Sequence, residues 1–442
     1  MQVIDTLIHA RWIVPVEPEG RVLERHSLAI DRGRIVAVLD RRDAATRYQP
    51  KETIDLPEHA LMPGLVNAHT HAAMSLFRGM ADDLPLMDWL QNHMWPAEAK
   101  WVSPEFVHDG SELAIAEMLK SGTTCFNDMY FFPDATARAV QTAGIRACIG
   151  LILIDFPSAW AGNADEYLHK GLQLHDALKH SPLITTAFAP HAPYTVADAP
   201  LEKVRMYADE LDVPIHMHVH ETAHEVQQAV TQSGKRPLER LADLGLLGPR
   251  LLAVHMTQLI DDEINTLARA NVNVIHCPES NLKLASGTCP VPKLLKAGVN
   301  VALGTDGAAS NNDLDMLGEL RTAALIAKGA ALDPTALPAH TALRLATLNG
   351  AKALGLEANI GSLTPGKSAD ITAIDLSALS TQPVYDPVSQ IVYSATRDQV
   401  TDVWVAGKRL LADRKLTTLD ENAIRQKAQT WRDKIKTSNS QD

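Results

Sequence analysis

Between residues 60 and 304 the chain alternates short apolar runs with stretches whose apolar residues recur at helical spacing. The runs 61–67, 123–130, 146–154, 184–189, 214–219, 251–255, 272–276 and 299–304 predict eight strands. Segments 111–120, 165–178, 201–212, 261–270 and 290–297 predict helices among them. Gly122, Gly144, Gly298 and the break from Asp212 to Pro214 stand where a helix must end and the chain turn back into a strand. Repeated β/α units of this kind close most simply into a (β/α)8 TIM barrel. An open doubly wound sheet is the alternative, but it would leave the first and eighth strand ends apart.

Outside this span the period changes. Residues 3–10, 27–31 and 34–39 read as short strands separated by turns, and 370–375, 391–394 and 400–408 resume the pattern near the other end. The terminal regions are therefore expected to form one small discontinuous β-sandwich domain. Its first part is 1–59, the barrel is 60–360, and 361–442 is its second part with a C-terminal helical tail.

Composition narrows the chemistry. The 442 residues, 46% of them hydrophobic, suffice for one large domain and one smaller one. A net charge of -12 and the lack of a basic tract argue against a phosphate-backbone surface, so the expected partner is a small neutral or cationic molecule and not nucleic acid. Cys125, Cys148, Cys277 and Cys289 are too few and too irregularly spaced for a disulfide scaffold, and they suit a reducing compartment. The first residues carry neither a basic n-region nor a long apolar stretch, and no apolar run reaches bilayer length. The expectation is a cytoplasmic protein without a membrane partner. No dinucleotide-binding glycine fingerprint follows the first strand.

Metal-ligand residue types gather at the predicted strand ends. His69 and His71 stand two residues apart, so the period of a strand points both rings to one face. His218 and Asp306 each follow another short apolar run. A lone histidine is ordinarily a packed or hydrogen-bonded side chain. Four ligand types at the ends of strands one, five and eight, with Glu221 and His255 beside them, instead favour a catalytic transition-metal site with an open position for water. That rim is where a barrel of this class carries its active site. His216 and His220 share the alternation of His218, so spacing alone does not choose among the three. His276, in Ile275-His-Cys-Pro278, is a further strand-end histidine that could be read as a fifth ligand, with Asn281 in the loop after it. In the long stretch after strand one, residues 76–79, Trp89, Trp95 and Glu98 read either as core or as a substrate-facing lid. No Ser-His-Asp set converges comparably, and nothing marks Cys277 as a nucleophile.

At Pro63-Gly-Leu-Val-Asn-Ala-His-Thr-His71, followed by Leu76-Phe-Arg-Gly79, the chain resembles the amidohydrolase superfamily. Segments 189–193, 216–222, 254–256, 276–281, 304–310 and 361–370 extend the likeness over nearly the whole chain. It is more similar to the 5′-methylthioadenosine/S-adenosylhomocysteine deaminases than to the neighbouring triazine hydrolases and guanine deaminases. The resemblance implies one divalent ion, usually zinc, held by His69, His71, His218 and Asp306, with iron as another ion such ligands accept. No lysine stands at the end of strand four, where His191 lies, so a two-metal centre with a carboxylated lysine is not implied.

The same resemblance assigns roles. Glu221 would shuttle protons, in place of serving as a rim acid in a salt bridge, while His255 and Asp306 stabilise the reacting centre. Trp89, Glu98, His191 and Ser310, together with Glu221 and Asp306, would contact the substrate, Glu98 through ribose hydroxyls and His191 near the purine. Arg146 has no fixed equivalent. The implied reaction is hydrolytic deamination of 5′-methylthioadenosine and S-adenosylhomocysteine, and of adenosine, to inosine derivatives and ammonia. Guanine deamination and s-triazine hydrolysis use the same metal motif and are the enzymatic alternatives; a non-catalytic metal-containing binding protein is the other. Similar enzymes assemble as oligomers, so a homo-oligomer is expected.

Overall fold

The structure, a computed structural model, describes residues 1–439 and contains two sheets. The first takes β1 (Gln2–Ile13), β2 (Leu23–Glu24), β3 (His26–Asp31), β4 (Arg34–Asp40) and β5 (Tyr48–Pro63) from the start of the chain. The second consists of β6 (Leu65–Thr70), β7 (Thr123–Asp128), β8 (Arg146–Leu153), β9 (Ile184–Pro190), β10 (Ile215–Val219), β11 (Leu251–His255), β12 (Asn273–His276) and β13 (Asn300–Leu303). The chain then returns to the first sheet with β14 (Ile371–Asp375), β15 (Val400–Val405), β16 (Lys408–Ala412) and β17 (Lys415–Leu416). That sheet runs β17-β16-β15-β14-β5-β1-β3-β4, with β2 on β1, and is antiparallel except where β1 lies parallel to β5. Ile8, Leu28, Ile30, Leu61, Ile371 and Trp404 share its apolar core.

In the eight-stranded sheet every strand lies beside its sequence neighbour, from β6 through to β13, as repeated right-handed β/α units require. It closes just past the strand ends. The Asp306 N–H donates to the His69 carbonyl at 3.0 Å, and the Thr70 hydroxyl donates to the Asp306 carbonyl at 3.0 Å. Gly304 makes this approach feasible, because a Cβ there would stand 2.7 Å from the His69 nitrogen and 2.8 Å from its Cβ. By contact density, Met1–Asn67, Glu117–Cys125 and Asp315–Thr418 form one compact unit; Ala68–Ala116, Phe126–Leu314 and the chain from Leu419 onward form the other.

The first predicted barrel strand, 61–67, is divided. Residues 61–63 finish β5, paired with β14, and β6 starts at Leu65. Gly64 stands between them, where a Cβ would fall 2.1 Å from the Thr124 side chain, so the chain can change sheets only without a side chain there. Residues 391–394, expected as strand, belong mostly to a helix, Pro387–Tyr393. Asp386 accepts the Val388 N–H, Pro387 occupies the first turn, and Val388, Ile391 and Val392 are buried at helical spacing. The capping pair outweighs the β-branched composition.

The helix Glu421–Asn439 belongs to the second unit. Its Trp431 meets the Phe106 ring edge-on at 5.2 Å and donates from Nε1 to Asp109 at 3.0 Å. Lys427 lies 2.9 Å from Asp109 and 2.7 Å from Glu112, which supplies the counter-charge for the acidic group around His108. No helix among the described residues is long and apolar enough to cross a membrane.

Candidate metal centre

Strand β6 delivers His69 and, just beyond its end, His71; β10 delivers His218; the turn after β13 delivers Asp306. One donor atom from each lies within 4.8 Å of all the others. Asp306 Oδ1 is 3.2 Å from both His69 Nε2 and His71 Nε2, and His71 Nε2 is 3.3 Å from His218 Nε2.

The far side of each ring shows what this space accepts. His71 Nδ1 lies 2.6 Å from the Met129 carbonyl, and His218 Nδ1 lies 2.7 Å from the His191 carbonyl. A carbonyl only accepts, so each Nδ1 carries the hydrogen and each neutral Nε2 turns a lone pair inward. His69 Nδ1 is engaged likewise, 2.8 Å from His216 Nε2. Lone pairs and a carboxylate facing one another repel unless a cation lies among them. Three imidazoles and one carboxylate, oriented by second-layer hydrogen bonds, fit a divalent ion such as zinc.

The turns that aim these groups are strained. His220, His255, Met256 and Asp306 have φ of 53°, 75°, 50° and 61°, a region that residues with a side chain seldom adopt. Each costs on the order of 1–3 kcal/mol and persists because its surroundings over-determine it. Asp306 illustrates this: its Oδ1 accepts the Gly307 N–H at 2.9 Å, and its Oδ2 lies 2.7 Å from the Ser280 hydroxyl and 3.0 Å from that of Ser310.

Burial sets the protonation states. It pushes the Glu221 carboxyl well above the ordinary range, helped by the negative charges of Asp306 and Glu225. It pushes His255 and His191 down to about 3, so both rings are neutral at physiological pH. Burial raises Glu98 to about 7, against a smaller lowering by the neighbouring Tyr130 hydroxyl. The His255 ring sits 3.8 Å from Glu221, and the Asn281 amide lies 2.9 Å from its Nδ1.

A cavity opens over the cluster. His71, His218, Asp306, Glu221, His255, Trp89, Glu98, His191 and Ser310 all line it, with His69 buried behind. The Ser310 hydroxyl is engaged by Asp306, and Thr195 Oγ1 steadies His191 Nδ1 at 3.0 Å. Arg146 begins β8, at the opposite end of the strand from the cavity side, and donates to the Pro182 carbonyl. Of the other histidines, His216 backs His69, His220 accepts the Leu238 N–H at 3.2 Å, and His276 is buried at the end of β12.

The amidohydrolase family model matches residues 60–410. The chain belongs to the amidohydrolase family. Its relatives include a 5-methylthioadenosine/S-adenosylhomocysteine deaminase of Teredinibacter turnerae, 54% identical over 98% of either chain. The fold is also that of a solved adenosine deaminase from Xanthomonas campestris with bound zinc, at TM-score 0.98 and 57% identity over 99% of both chains. Atrazine chlorohydrolase from Arthrobacter aurescens, complexed with zinc, matches at TM-score 0.89 and 25% identity, covering 96% of this chain and 99% of its own.

Several residues of this amidohydrolase site escaped the sequence reading. Tyr130, Phe131, Ile154, Phe156 and Tyr194 line the cavity, and Ser280 holds Asp306. The usable signal was position: the cavity residues lie just past β7, β8 and β9, on the loops that a barrel dedicates to its ligand.

Proposed function

We propose that the protein hydrolytically deaminates 5′-methylthioadenosine and S-adenosylhomocysteine, and adenosine with them, giving the inosine derivatives and ammonia. One observation carries this reading: the Glu98 carboxyl faces the same cavity as the ligand cluster and Glu221. A carboxylate accepts from two vicinal hydroxyls, which a nucleoside has and a free base or triazine lacks. The name borne by the Teredinibacter turnerae relative supports it.

A divalent ion at His69, His71, His218 and Asp306 supplies the Lewis acidity that makes water nucleophilic at neutral pH. Glu221, its carboxyl raised above the ordinary carboxylate range by burial, takes a proton from the attacking water and hands it to N1 of the purine. The neutral His255 ring and the Asp306 carboxylate stabilise the tetrahedral centre at C6, and the proton of the new C6 hydroxyl passes to the amino group, which leaves as ammonia as C6 becomes a carbonyl. Trp89 packs its broad face on the nucleoside, His191 meets the purine edge, and Ser310 keeps Asp306 in place. The setting we propose is the reducing cytoplasm: none of the four cysteines is in a disulfide, and all are buried.

A kinetic panel of 5′-methylthioadenosine, S-adenosylhomocysteine, adenosine, guanine and a chloro-triazine on the zinc-loaded enzyme tests the reading. Ammonia release from the thioether adenosines is expected. Efficient turnover of guanine or the triazine with none of these would refute it, and ligand binding without any turnover would favour a binding protein.

A further inference from the structure

The segment that leaves β10 with Glu221 is gripped by a second carboxylate that no step above uses. Thr222 caps the helix Ala223–Ser233 and accepts the Glu225 N–H at 3.2 Å. In a capping box the acid three residues on reaches back to the cap residue's own N–H. Glu225 reaches further. Its Oε2 accepts the Glu221 N–H at 2.7 Å and its Oε1 the His220 N–H at 3.2 Å. Glu225 is buried, and no cationic side chain pairs with it among the described residues. A carboxylate is costly in such a place unless its hydrogen bonds do something the fold requires.

What they hold is a strained turn. His220 sits at φ 53°, and from the other side Thr257 donates its N–H to the His220 carbonyl at 3.0 Å and its hydroxyl to the Glu221 carbonyl at 2.7 Å. Donors and acceptors of both peptide units are thus taken by two side chains and one backbone group. We infer that Glu225 and Thr257 are positioning residues for proton transfer: they clamp the His220–Glu221 backbone so that the Glu221 carboxyl faces the metal-ligand cluster. The inference rests on the proton-transfer role proposed for Glu221.

Glutamine at 225 offers one acceptor oxygen for two N–H groups and turns an amide donor against the other, so Glu225→Gln should release the clamp while preserving size. On zinc-loaded protein with adenosine as substrate, kcat is expected to fall about 10–100-fold, the scale of an ångström-level misplacement, with KM and bound zinc unchanged. Thr257→Val should lower kcat as well, and Thr257→Ser should restore it. Independently of turnover, the backbone amides of His220 and Glu221 should exchange hydrogen faster in Glu225→Gln while those of β11 do not change. Wild-type kcat or unchanged exchange in Glu225→Gln would overturn the inference, as would a loss of zinc in proportion to activity. Glu221→Gln separates the two ideas. Wild-type turnover in that variant would overturn the role of Glu221 itself, and the clamp's catalytic purpose with it; an inactive Glu221→Gln beside a fully active Glu225→Gln would overturn the clamp alone.

Discussion

Replacing Glu98 by glutamine should stabilise the protein and cripple its recognition of nucleosides. Burial lifts this carboxyl from 4.5 to about 7. At about 1.4 kcal/mol per pH unit the rise corresponds to about 3 kcal/mol against the ionised form. The side chain is only partly buried, and screening by solvent reduces the expected share to about 1–2 kcal/mol. The folded chain holds this proton more tightly than the unfolded chain. The associated stability is therefore complete below pH 4.5 and is lost as the pH climbs through about 7. Glutamine carries no such loss. The gap in unfolding midpoint between Glu98→Gln and wild type should widen from pH 4.5 to pH 8, in favour of the variant. Binding should move the other way. A charge-assisted hydrogen bond is worth about 1.5–3 kcal/mol, so KM for 5′-methylthioadenosine should rise on the order of 10–100-fold. Urea unfolding across that pH range, with KM measured alongside, reads both effects. A midpoint gap that stays constant with pH would refute the ionisation argument, and an unchanged KM would refute the ribose contact.

Three further outcomes are expected. Glu221→Gln should lower kcat by about 10²–10⁴-fold, the usual worth of a general acid–base group, with metal content by elemental analysis unchanged. Gly304→Ala should prise β13 from the His69 backbone, since its Cβ would stand 2.7 Å from the His69 nitrogen, and the variant should bind zinc far more weakly in a chelator competition. Trp431→Ala removes a buried ring and the hydrogen bond to Asp109 and should destabilise by about 3–5 kcal/mol in chemical denaturation.

The alternation of strands and helices and the ligand types at strand ends were legible because they are local: side-chain period follows from backbone geometry, and a β/α barrel presents the carboxyl ends of its strands on one rim. Tertiary structure decided the rest. Residues 61–63 are as apolar as those that follow, yet strand pairing assigns them to the other sheet. Residues 387–393 are rich in β-branched side chains, yet an aspartate cap and a proline make them helix. His216, His218 and His220 look alike in sequence; hydrogen bonds to His69, to the His191 carbonyl and from Leu238 set the three rings on different tasks. The 3.2 Å approach of Asp306 to His69 spans 237 positions of chain and depends on Gly304. A residue's type and spacing declare the chemistry it can perform, but which partners complete that chemistry is fixed by contacts between distant segments, and those exist only once the barrel has closed.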